Sequence, residues 1–246
     1  MKMTPRARFS GRVGALSILA LSTATLAAAE MCFDVTLRFS DRTPSRALIE
    51  SMTREASTIW QPYGVRIQWS TEGQSVAPNS ADCAARHGPF AAFIVRRSAR
   101  STSGNAVLGN TWLTPGAIDH APIYIDQSAT ERVLESLASE DLARLVGHQF
   151  IAPSDVGRAL GRVLAHEIGH VILAARFHET RGLMRPVFLA TDLVTYNRQS
   201  YGLSDAELTR LRGRALTLNA QLRASNVTSS QTTDQLPGLV GPTRFP

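Results

Sequence analysis

The residues AHEIGHVILAARFHETRGLMRP, Ala165 to Pro186, concentrate the side chains best suited to chemistry. His166 and His170 stand four apart, and Glu167 directly follows the first. On an α-helix such a pair is offset by only about 40° and one turn, so both imidazoles point the same way. Two imidazoles so placed can reach one Zn²⁺ at about 2.0–2.1 Å. Glu167 lies about 100° further round the helix, beside such a metal rather than on it. There it can take a proton from water whose pKa Zn²⁺ lowers to about 7, which creates a hydrolytic nucleophile. The competing reading is two core histidines satisfied by hydrogen bonds. It is disfavoured because Val163, Leu164, Ile168, Val171 and Ile172 make an apolar setting in which unpartnered polar groups are costly.

A catalytic zinc site takes three protein ligands and keeps one position open. His178 is the first choice for the third. On a continued helix it would lie about 12 Å beyond His170 along the axis, so the chain must leave the helix between Val171 and Phe177 and turn back. That stretch has no glycine to take a left-handed turn. The residues His178-Glu-Thr-Arg-Gly182 are nevertheless polar and Gly-terminated, as a return loop should be. Glu179, Asp192 and Glu207 are the alternative carboxylate ligands. His87, His120 and His148 have no partner pattern and read as surface or hydrogen-bonded histidines.

These groups need a helix and a sheet to hold them. Pro153-Ser154-Asp155 predicts the helix start, with Ser154 as N-cap and an acid in the first turn. Upstream, CFDVTLRF (Cys32–Phe39) alternates as a strand. A helix follows with Thr43 as N-cap and Pro44 in its first turn, and Pro62-Tyr-Gly64 stops it. GVRIQWS, PFAAFIVRR, NAVLGNTWL and APIYID read as further strands, and ATERVLESLASEDLARLVGHQF is helical in part. After an irregular stretch, LSDAELTRLRGRALTLNAQLRAS gives a last helix capped near Ser204. This order predicts an α+β domain with one mixed sheet.

The 246 residues divide into three expected parts. Residues 1–29 read as a secretory signal peptide: Lys2, Arg6, Arg8 and Arg12 precede an apolar run that ends Ala27-Ala28-Ala29. Residues 30–225 are long enough for one domain with its own core, and the polar, Gly/Pro-punctuated residues 226–246 read as a flexible tail. The formal charge of +6 includes those four leader cations. The mature chain is therefore close to neutral and has no basic stripe for a phosphate backbone, so nucleic-acid binding is excluded. Stable membrane insertion after signal removal is also not expected. Cys32 and Cys83 are the only cysteines, and an even count in an exported chain predicts one disulfide between them. The expected location is secreted or periplasmic.

HExxH, a later histidine and a methionine in a tight turn together resemble the metzincin clan of zinc peptidases. The resemblance is strongest over Ala165–Pro186 and weaker over Glu30–Ser225. It implies that His166, His170 and His178 bind zinc, that Glu167 is the general base, and that Met184 of Gly182-Leu-Met forms an apolar floor under the metal. The spacing departs from the standard pattern, which has a glycine three residues and the third ligand six residues after the second histidine. Leu173 and Arg176 stand at those positions, and the histidine comes two residues later. The resemblance also implies a zincin-like fold. Its twisted, mostly five-stranded mixed sheet packs on two long helices, one carrying HExxH, with a small helical C-terminal subdomain. It further implies an edge strand along which an extended peptide substrate pairs, best placed at Gly109, Asn110 and Thr111. Tyr196 or Tyr201 would then be oxyanion candidates. The expectation is a monomeric, zinc-dependent metalloendopeptidase acting on a peptide or protein. The alternative is a catalytically inactive zinc-binding or interaction domain of the same fold.

Overall fold

The computed structural model describes residues 31–41, 43–71, 74–75, 86–96, 107–113, 121–135 and 151–232. The expected signal peptide, Cys83, His120, His148 and the end of the expected tail lie outside them. The described residues form an α+β fold on one mixed sheet. Strand β1 (Met31–Phe39) leads to helix α1 (Arg46–Trp60) and back to β2 (Val65–Thr71), beside the two-residue β3 (Gln74–Ser75). Strands β4 (Arg86–Val95), β5 (Gly109–Thr111) and β6 (Ile123–Asp126) follow, with α2 (Gln127–Glu135) directly after β6. Three further helices follow among the described residues: α3 (Pro153–Ile172), the short α4 (Ala190–Val194) and the long α5 (Asp205–Thr232).

The sheet order is β3-β2-β1-β4-β6-β5. The four inner strands run parallel, and both edge strands, β3 and β5, run antiparallel to their neighbours. Among the described residues there are thus six strands, the five expected plus β3. The inner strands bury Val35, Leu37, Ile94, Ile123 and Ile125 almost completely. Where helix α1 packs closely on α3, small residues are needed between the two backbones.

Helix α3 meets that demand with residues spaced by four. A Cβ built on Gly157 or Gly161 would lie 2.5 Å from the Leu48 or Met52 carbonyl oxygen of α1. Ala165 continues this line, and the Trp60 indole N–H donates to its carbonyl oxygen at 3.0 Å. The two helices therefore touch backbone to backbone. Replacing either glycine by alanine would force them apart. A neighbouring line on α3 runs Arg158, Arg162, His166, His170, so the histidines share a face with two buried arginines.

Two helix starts differ from the sequence expectation. In α1 the N-cap is Ser45, whose hydroxyl accepts the Leu48 N–H; Thr43 and Pro44 both lie ahead of it. In α3 the N-cap is Ala152 rather than Ser154. Pro153 holds its predecessor in an extended conformation, so the first helical residue is the proline itself. The Asp155 carboxylate then accepts the Ala152 N–H at 3.3 Å, the return half of a capping box, while alanine supplies no side-chain cap of its own. At α5 the expected cap is found: Ser204 Oγ accepts the Glu207 N–H at 3.2 Å, and Glu207 accepts the Ser204 N–H at 2.6 Å. This helix runs on to Thr232, into the stretch whose composition reads as an aperiodic tail.

Candidate metal centre

His166, Glu167 and His170 lie in the interior of α3 and are all nearly buried, at 5%, 5% and 7% exposure. Each histidine is locked through Nδ1. His166 Nδ1 meets the Leu183 carbonyl at 2.8 Å, and His170 Nδ1 meets the Ala175 carbonyl at 2.7 Å. A carbonyl can only accept, so both Nδ1 atoms carry the hydrogen and both Nε2 atoms present lone pairs. Those two lone-pair nitrogens face each other 3.2 Å apart. Neither can donate to the other. A cation between them resolves the conflict, and two nitrogens bound tetrahedrally at about 2.0–2.1 Å would be about 3.3 Å apart.

His178 comes back to this pair. Its ring stacks on His166 at 5.2 Å and 11° and meets His170 edge-on at 5.0 Å. The ligand atoms of His166, His170 and His178 all lie within 4.8 Å of one another, close enough to hold one metal ion. His178 is the exposed member of the three, so the site opens to solvent on its side.

The turn that delivers His178 uses no glycine. Ala174 takes the left-handed conformation at φ 51°. The Ala174 N–H donates to Val171 O at 3.2 Å and the Ala175 N–H to His170 O at 3.1 Å. These two bonds are the pair that ends a helix in a Schellman motif, with alanine where glycine is usual. The turn also places the Ala175 carbonyl that holds His170. Arg176, at the position where the metzincin pattern has its third ligand, instead donates from its guanidinium to the Leu113 carbonyl beyond β5.

Met184 is fully buried beneath the histidine helix. A Cβ on Gly169 would overlap the Met184 sulfur, so the glycine between the two histidines is what lets the methionine lie there. Gly182 makes the preceding turn at φ 82°. The chain is closed by Leu183 N–H to Gly202 O at 3.1 Å and Glu179 N–H to Met184 O at 2.8 Å. One turn thus supplies the methionine and, through Leu183 O, the clamp on His166.

Burial dominates the electrostatics. It pushes His166 down to about 3, helped by His170, His178 and Arg185 and opposed by the Leu183 hydrogen bond. His170 is also lowered, again mainly by burial. Both imidazoles are therefore neutral at physiological pH, the form that binds metal. Burial raises Glu167 to about 7, and the hydroxyl of Thr111 pulls it partly back. A carboxylate in that range can both accept and return a proton near neutrality.

The other residues singled out by sequence fall as follows. Glu179 lies 4.0 Å from the Arg210 guanidinium. Asp192 pairs with Arg185 at 2.8 Å and accepts the Leu189 N–H. Glu207 serves the α5 cap. None of the three belongs to the histidine cluster. Tyr201 is buried, and its hydroxyl donates to the Asp192 carbonyl at 2.9 Å, so burial raises its pKa to about 12. Tyr196 is exposed, under Arg158 at 4.1 Å, two turns and about 12 Å along α3 from His166. Neither tyrosine is brought to the histidines. His87 packs on Phe33 at 5.4 Å. Cys32 is disulfide-bonded; Cys83, the one other cysteine in the chain, lies outside the described residues.

Gly109 and Thr111 on β5 face Glu167, while Asn110 is exposed. Sequence reasoning missed Phe188, whose ring meets His166 edge-on at 5.4 Å and stacks on Tyr201. It also missed Arg162, which is fully buried against Glu55 at 2.9 Å and donates to the Asp192 and Thr195 carbonyls. Arg162 stands one turn before His166 on the same face, and that spacing was the available signal. Beside the histidines a cleft of about 550 Å³ is walled mainly by Val107, Leu108, Val133, Val163, Phe188 and Leu189 and opens onto His166, Glu167 and His178. Apart from His166, Glu167 and His178 its lining side chains are apolar. No protein-family model matches this chain, and no curated protein matches it.

Proposed function

We propose that this protein is an exported zinc metalloendopeptidase of zincin type, similar to the metzincins. The observation that carries the reading is the pair of Nε2 lone pairs held 3.2 Å apart by two carbonyl clamps, with His178 closing the cluster. His166, His170 and His178 would hold the ion, and the all-imidazole donor set with an open side suits Zn²⁺ in a catalytic site. When bound, the ion supplies Lewis acidity that acidifies water and polarises a carbonyl.

The chain's own residues would do the rest. Glu167 takes a proton from the attacking water at its carboxylate and later passes it to the amide nitrogen as the C–N bond breaks. An extended peptide adds along β5, an edge strand among the described residues, by backbone pairing. The aliphatic and aromatic cleft walls take an apolar side chain next to the scissile bond. Met184 and Leu183 keep the floor and the His166 ring in place. Secretion or delivery to the periplasm rests on the leader sequence; among the described residues no helix is long and apolar enough to cross a membrane.

The test is hydrolysis of a quenched fluorescent peptide library by the purified zinc-loaded chain, with and without chelator. Cleavage should vanish with chelator and in Glu167→Gln, while the variant still binds one zinc. Full activity in Glu167→Gln would overturn the mechanism.

A further inference from the structure

Two residues on one face of β5 are built around the Glu167 carboxylate. A Cβ on Gly109 would lie 2.6 Å from Glu167 Oε1 and 2.8 Å from its Cγ, so the strand backbone lies directly against the acid. Two residues along, Thr111 Oγ1 lies 2.6 Å from Glu167 Oε2 and 3.1 Å from the Glu167 carbonyl oxygen. A hydroxyl has one proton to give, and the nearer acceptor, the carboxyl oxygen, takes it. We propose that Thr111 is the positioning residue of the general base, so that the strand expected to receive substrate also aims the carboxylate. This rests on the peptidase reading and adds a role to a residue that the sequence places only at a substrate edge.

Glutamate has several freely rotating bonds, and a misplacement of about 1 Å at a reacting group can cost about 10²-fold in rate. Thr111 pins Oε2, which leaves Oε1, over the Cα of Gly109, to take the proton. The strand itself cannot drift. Gly109 pairs with Ile125 and Thr111 with Ile123, both fully buried, and the next N–H, of Trp112, donates to Pro122 O at 3.2 Å. Just beyond, Arg176 holds the Leu113 carbonyl. A peptide paired along β5 would therefore lie in a fixed register with the base.

The test compares the zinc-loaded full chain with Thr111→Val and Thr111→Ser, using one fluorogenic peptide chosen from the library that the parent cleaves. Valine keeps the shape and removes the hydroxyl; serine keeps the hydroxyl. Thr111→Val should lose about 10–100-fold in kcat with KM within about twofold, as expected for misaligned chemistry. It should retain one zinc per chain and an unchanged melting temperature. Thr111→Ser should recover most of the parent kcat. A valine variant with the parent's kcat, a serine variant as slow as valine, or loss of zinc from the valine variant would each overturn the inference while leaving the peptidase reading intact. A zinc-loaded parent that cleaves nothing would overturn the peptidase reading itself, and this inference with it.

Discussion

Replacing Glu167 by glutamine should abolish hydrolysis and yet make the metal-free protein more stable at alkaline pH. Burial raises the Glu167 carboxyl from 4.5 to about 7. Below pH 4.5 the group is protonated in both folded and unfolded chains and contributes no difference. Between 4.5 and 7 the unfolded chain ionises while the folded one does not, so folding loses stability as pH rises through that window. Above 7 both are ionised and the penalty is constant. At 1.36 kcal/mol per unit the full penalty reaches about 3 kcal/mol. Glutamine has nearly the same shape, can still accept the Thr111 hydrogen bond, and does not ionise. Urea unfolding in the presence of chelator at pH 4, 6 and 8 would measure the difference between parent and variant. The two should coincide at pH 4 and separate progressively, with glutamine the more stable by up to about 3 kcal/mol at pH 8. Zinc should narrow the gap, because a cation beside the carboxylate favours its ionised form. Equal stabilities at all three pH values would refute the argument that this acid is held in a desolvated place.

Two further outcomes follow from the packing. Ala174→Gly should raise stability by about 0.5–1 kcal/mol, seen as a higher urea midpoint, because glycine takes the left-handed turn without strain and the exposed alanine methyl buries little. Arg162→Met should lower stability by about 3 kcal/mol in the same assay, since it strips a fully buried charge partner from Glu55. The loss stays at the low end because Arg198 still reaches the Glu55 carboxylate at 2.6 Å.

How much of this could be read in advance depends on whether the interaction is local. The pairing of His166 with His170, the place of Glu167 between them and the Ser204 cap follow from helical spacing alone, and the structure has all three. The five strand segments could be placed from their apolar runs but not their order in the sheet or the parallel pairing of the inner four, while the antiparallel β5 at the sheet edge agrees with its Gly-Asn interruption. The return of His178 was inferable because a straight helix could not deliver it, but the way it returns was not. Nothing in ILAARF marks Ala174 as a left-handed residue; it takes that conformation where the Ala174 and Ala175 N–H groups turn back to the Val171 and His170 carbonyls. The α3 cap moved because Pro153 holds Ala152 extended and makes it the N-cap, whereas in α1 the Ser45 hydroxyl, just after Pro44, takes the Leu48 N–H in place of Thr43. Contacts across distant segments, such as Thr111 with Glu167 and Arg162 with Glu55, leave no periodic trace. The glycines at 157 and 161 did carry a legible spacing of four, and both meet the backbone of α1.

The most direct test of the central claim is metal content per chain after purification and zinc loading, for the parent and for His178→Ala. The account predicts one zinc in the parent and a sharp loss in the variant, whose remaining nitrogens can offer only two ligands. An undiminished zinc content in His178→Ala would contradict the three-histidine centre on which the proposed chemistry depends.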